Sequence, residues 1–143
     1  MDGKVVYDQD SIVAKFDDKK VVLWIGLRSC PSNNAIDSMW DVVSKLLINH
    51  SKRSIIHLAH VETDNMEPPG ISTLIHVVSK IVHDFDDIKK KCKRVIVQPK
   101  IIDRKVEDAV NMFFSIMGDK VKLDITADAT QVQKLIDEKR DVK

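Results

Sequence analysis

The sequence predicts one α/β domain over residues 1–143, built on a mixed sheet in the order β-β-β-α-β-α-β-α-β-α. Three observations carry that prediction. A length of 143 residues suits a single core of ordinary domain size. Short apolar runs of strand length alternate with stretches whose apolar residues recur every three or four positions. Strands separated by helices need crossover connections, so much of the sheet is expected to be parallel with helices packed against it.

Each element has its own signal. Val5-Val6-Tyr7 and Ser11 to Phe16 are β-like stretches flanking Asp8-Gln9-Asp10, whose side chains favour a turn. Asp17-Asp18-Lys19-Lys20 makes a second polar turn, and Val21 to Leu27 is apolar enough for a strand covered on both faces. Ser32 or Asn33 can cap the helix whose buried face is Ile36, Met39, Trp40, Val43, Leu46 and Leu47. Ile55 to Ala59 reads as a short buried strand, and His60 to Gly70 as a loop ending in Pro68-Pro69-Gly70. Ile71, Leu74, Ile75, Val78, Ile81 and Val82 line a second helix. Arg94 to Val97 is a strand ended by Pro99. A third helix carries Val106, Ala109, Val110, Phe113 and Met117, with Gly118 placed to stop it. Val121 to Ile125 is the last strand, and Val132, Leu135 and Ile136 line a last helix opened by Asp128 or Thr130.

Composition narrows the function classes. A hydrophobic fraction of 43% with 31% charged residues is that of a soluble globular protein rather than a disordered chain. Lys+Arg 23 against Asp+Glu 22 leaves no field to steer the whole molecule to nucleic acid. Cys30 and Cys92 are too few for a disulfide framework and lack CxxC spacing, which points to a reduced compartment. With no signal-peptide pattern and no apolar run of about 20 residues, a cytoplasmic location without a membrane span is expected.

The order of elements resembles the STAS domain, shared by bacterial anti-sigma factor antagonists and the cytosolic tails of sulphate transporters. The resemblance covers about Lys4 to Asp137 and is one of layout and hydrophobic pattern. The family's local marker is a buried strand, a loop of the form Asp-Ser-Ser-Gly, then a helix. Here the strand is Ser54 to Ala59, the loop lines up as Glu67-Pro68-Pro69-Gly70, and the helix begins Ile71-Ser72-Thr73-Leu74-Ile75. In the antagonists the hydroxyl residue before the glycine accepts phosphate from a partner kinase. Pro69 stands there and has no hydroxyl, so that switch is absent. Ser72 and Thr73 lie just inside the helix start, where a phosphate would meet unpaired N–H groups and the positive end of the dipole. Unmodified polar first-turn residues are the plainer reading of the pair.

Other constellations carry less. His57 and His60, with Glu62 and Asp64 behind them, have the chemistry of zinc ligands. Residues three apart on a strand face opposite ways, however, which leaves one histidine at the core edge and one in the loop. No metal and no cofactor is expected. Cys30 precedes Pro31-Ser32 at a helix start, a position that can lower a thiol pKa, but no arginine follows within the span a phosphatase-type loop needs. The pairs Asp17-Asp18 and Asp86-Asp87 lack the neighbours of a phospho-acceptor site and read as turn residues. Neither GxGxxG nor a P-loop lysine occurs. Ile88 to Lys105 carries eight Lys/Arg against Asp103, a local charge of +7. It reads as a solvated helix-to-strand turn, and without aromatics it makes a poor single-strand nucleic-acid platform.

The expectation is a non-catalytic, regulatory protein-binding module. Its surface is the loop and helix start formed by Asp64, Glu67, Pro68, Pro69, Gly70 and Ile71, stiffened by two prolines. The resemblance implies an ATP-binding kinase-like regulator as partner. The alternative is a small α/β enzyme using Cys30 or His60 at the carboxyl ends of the strands, where open sheets place ligands. A homodimeric scaffold is a third possibility.

Overall fold

The computed structural model describes residues 3–9, 11–28, 31–61, 71–88, 90–99, 104–115 and 121–138. Strands β1 (Lys4–Gln9), β2 (Ile12–Asp17) and β3 (Val22–Leu27) form an antiparallel meander. Across the first turn Gln9 pairs with Ile12. The second turn is built by Asp17, whose Oδ1 accepts the N–H groups of Lys19 and Lys20 at 2.9 and 3.0 Å. That turn ends at Val21, which sits at φ 56° and belongs to the turn rather than to the strand. A β-branched residue in the left-handed region is strained by about 1–3 kcal/mol. It is held there by burial of the side chain and by its carbonyl, which accepts the Ile55 N–H at 3.0 Å.

Helix α1 (Asn33–Asn49) follows, capped by Ser32, whose Oγ accepts the Ala35 N–H at 3.1 Å. Strand β4 (Ser54–His60) then pairs parallel with β3. Helices α2 (Ile71–His83) and α3 (Phe85–Ile88) lead to β5 (Cys92–Gln98), and α4 (Arg104–Ser115) leads to β6 (Lys122–Ile125). Helix α5 (Ala129–Asp137) closes the described chain, capped by Asp128, which accepts the Thr130 N–H at 2.8 Å. The expected α/β order is therefore present, with the single turn of α3 added between α2 and β5. Val77, outside the expected apolar spacing of α2, is fully buried beside Val78 and Ile81.

The six strands lie in the order of the chain, β1-β2-β3-β4-β5-β6, and β3 to β6 run parallel. Right-handed crossovers that always step the same way place their helices on one face. Accordingly, α1, α2 and α4 share that face: α1 packs on α2 and α2 on α4. The main core lies beneath them, around Leu23, Ile25, Ile36, Met39, Leu58, Val95 and Val110. The opposite face receives α5, which forms a second, smaller core of Val22, Ile55, Ile96, Val132, Leu135 and Ile136. Nine helical residues span about 14 Å, against about 24 Å across six strands, so α5 covers only part of that face.

Candidate functional site

Two regions concentrate chemistry, one on each face of the sheet. The first is the rim where β4 ends and α2 begins. His60 is the last residue of β4, not a loop residue as the sequence suggests. It pairs with Leu27, and the next N–H, that of Val61, still reaches the Leu27 carbonyl at 2.9 Å. Asp64, Glu67, Pro68, Pro69 and Gly70 lie outside the described residues, as does Cys30. Ile71 opens α2, Ser72 follows in its first turn, and Thr73 is buried, only 7% exposed.

One turn further, α2 is tied to α1 by a carboxylate. Asp37 accepts from His76 Nε2 and Lys80 Nζ, each at 2.9 Å. The His76 hydrogen bond, followed by that of Lys80, holds the Asp37 carboxyl below the usual carboxylate range. Trp40 makes a second tie, its indole Nε1–H donating to Asp84 Oδ2 at 2.6 Å. These contacts tie the middle and the carboxyl end of α2 to α1.

The second region is a cleft of about 430 Å³ between the uncovered part of the sheet and α5. Its floor holds one cross-strand row: Lys15 lies opposite Trp24, and Trp24 opposite His57. Gln98 lies beyond that row on β5, and Val22 at its inner end. The roof is the α5 face of Ala129, Val132, Gln133 and Ile136, and Asp17 and Lys20 stand at the rim.

A glycine sets the position of the indole. A Cβ on Gly26 would come within 2.5 Å of Trp24 Cη2 and 2.6 Å of Val61 Cγ2. Without one, the Trp24 ring lies down along its own strand. The Lys15 ammonium stands over that ring, 5.4 Å from its centroid.

His57 is 8% exposed, and its Nε2–H donates to Gln98 Oε1 at 2.8 Å. Burial holds the imidazole pKa below the ordinary value of 6.5, against the Gln98 bond, which favours the protonated ring. The ring is therefore neutral at pH 7, with Nδ1 an acceptor. Strand alternation turns His60 the other way, so the two histidines do not converge. Among the described residues no group of three or more His, Cys, Asp or Glu is placed to hold a metal ion.

The roof is held by Arg94. It is 9% exposed and donates to the Leu135 carbonyl at 3.0 Å, while pairing with Asp124 at 3.2 Å and Glu138 at 3.3 Å. The basic run from Ile88 is thus not a uniformly solvated turn. Lys91 also turns inward, donating to the His50 carbonyl at 2.7 Å.

Sequence reasoning named His57 but missed Lys15, Trp24 and Gln98. Their signal was weak: a tryptophan two residues before a strand glycine, beside a strand with a lysine among apolar residues. No family model matches the chain, and neither does any curated protein or solved structure. Among the described residues no helix is long and apolar enough to cross a membrane.

Proposed function

We propose that this chain is a non-catalytic regulatory module that binds another protein through the rim at the start of α2, as a STAS-like domain. One observation carries the reading. Strands β3 to β6 are parallel and in chain order, so α2 starts directly beyond the carboxyl end of β4, at the position the resemblance assigns to the contact surface. Open α/β sheets present their sites at that edge. The Asp37–His76–Lys80 cluster supports it by bracing the body of α2 on α1, so that a partner at the helix start meets a helix already held in place.

Pro69 removes the usual acceptor hydroxyl, and the burial of Thr73 counts against it as a substitute, so Ser72 is the first-turn hydroxyl residue we propose for phosphate. A phosphate there is favoured by the helix N-terminus and adds charge to the docking surface. The partner class we infer is a kinase-like, ATP-binding regulator in the same compartment.

The test is affinity capture from source-cell lysate with wild type, Ile71→Asp and Pro69→Arg, followed by titration of any captured protein in purified form. Asp is compatible with a helix first turn, so circular dichroism of Ile71→Asp should match wild type. A partner that binds wild type and loses tenfold or more in affinity to both variants supports the reading. Equal binding by all three proteins refutes it.

A further inference from the structure

We propose that the cleft between the sheet and α5 is a binding site for a small, flat aromatic carboxylate. It lies on the face opposite α1, α2 and α4, so it does not rest on the docking reading.

The shape and lining select the class. A volume of about 430 Å³ is within the range of small-molecule sites, which are typically about 300–1,000 Å³. It is a slot between a sheet and a helix, so it admits a flat body more readily than a globular one. Trp24 presents an aromatic surface held in place by the bare backbone at Gly26, while Val132 and Ile136 supply an apolar lid. Ring-on-ring contact with a fixed indole favours an aromatic ligand over an aliphatic one of equal size.

Charge selects the acid. Asp17 is engaged in its own turn through Oδ1, and Lys20 reaches toward Asp137 at 3.9 Å. The Lys15 ammonium has the Trp24 ring beneath it and no ion pair among the described residues. The lining sets two ammoniums, Lys15 and Lys20, against the Asp17 carboxylate and has no arginine, and this small positive excess suits a monoanion better than a phosphate ester, which draws several donors.

Orientation comes from the buried pair. His57 Nε2–H is committed to Gln98 Oε1, which leaves the Gln98 amide N–H₂ without a partner among the described residues and His57 Nδ1 as an acceptor. A ring edge carrying an acceptor and a donor is read by that pair. The acid then lies toward Lys15, across the row formed by Trp24.

The probe is naphthalene-2-carboxylate, compared with naphthalene-2-carboxamide and cyclohexanecarboxylate. Binding is read from the indole N–H resonances of the two tryptophans. Trp24 lines the cleft, whereas Trp40 is buried in the main core on the other face and serves as the internal reference. The carboxylate should shift the Trp24 resonance saturably and leave Trp40 in place. The carboxamide and the cyclohexane acid should each bind about fivefold to tenfold more weakly.

Lys15→Met keeps the stem and should bring the carboxylate down to the affinity of the amide, leaving the amide unchanged. Gln133→Phe fills the slot from the exposed side of α5 and should abolish binding of all three, with the fold intact. The proposal is overturned by the absence of a saturable Trp24 shift, by parallel movement of Trp40, or by equal affinity for acid and amide.

Discussion

Arg94→Met tests how α5 is held over the second face of the sheet. Three losses enter the magnitude. The hydrogen bond to the Leu135 carbonyl is charge-assisted and contributes about 1.5–3 kcal/mol. The pair with Glu138 is half-exposed, at 47% for the acid, and contributes under about 1 kcal/mol. Asp124 weighs more than its 30% side-chain exposure suggests. Its Oδ2 atom is sealed from solvent and lacks an aligned hydrogen-bond donor, the Arg94 charge at 3.2 Å being its compensation. Stranding that oxygen costs about 1–3 kcal/mol. Against these stands the desolvation of the guanidinium, which methionine avoids while keeping most of the stem's packing. We therefore expect a net loss of about 3 kcal/mol by urea denaturation. Faster hydrogen exchange should appear in α5, at amides such as Val132, whose N–H is bonded to the Asp128 carbonyl. Arg94→Met with Asp124→Leu removes the stranded acid and should recover about half of the loss. A single-variant loss under about 1 kcal/mol, or a double variant no more stable than the single one, refutes this account of the roof.

Further outcomes follow from individual side chains. The His57 pKa is depressed by burial, so the stability it contributes is complete above 6.5 and is lost as pH falls below that value toward its folded pKa. The urea midpoint should fall between pH 7 and pH 5, and His57→Gln should flatten that fall. A midpoint with the same pH dependence in both proteins counts against a buried neutral ring. Burial pushes the Cys92 thiol up to about 12, so iodoacetamide at pH 8 should leave it unmodified in the folded protein and alkylate it in urea, as mass mapping would read. Rapid native labelling of Cys92 contradicts its placement. Ser32→Ala removes the α1 cap and should cost about 1 kcal/mol in a thermal or urea melt, with Ser32→Asp close to wild type.

Much of this fold was legible because its signals are local. The Ser32 and Asp128 caps, the apolar stripe of α1 and the polar turn at Asp17 each depend on residues within a few positions of one another. Sheet order is a different matter. Periodicity shows that a segment is a strand but not which strands flank it, so Val21 to Leu27 read as covered on both faces, whereas Trp24 borders a cleft. Arg94 was misread for the same reason. A charge count over Ile88 to Lys105 sees seven other cations and one aspartate, while the partners that bury Arg94 come from β6 and the end of α5. The rim residues from Asp64 to Gly70 and Cys30 are outside the described residues, and their sequence reading stands as an expectation.

The two faces also differ in what a substitution does. Under α1, α2 and α4 the sheet contributes an almost wholly apolar layer, so changes at Leu23, Ile56 or Val95 act on stability through cavities. Beneath α5 the apolar residues are interleaved with Lys15, His57, Arg94 and Gln98, where charge can be altered at the edge without opening the main core. The docking residues named from the sequence and the residues that line the cleft are different sets. Ile71→Asp and Lys15→Met should therefore affect protein binding and small-acid binding separately, and their combination should be additive to within about 0.5 kcal/mol. A larger departure would mean that one site's occupancy is transmitted to the other.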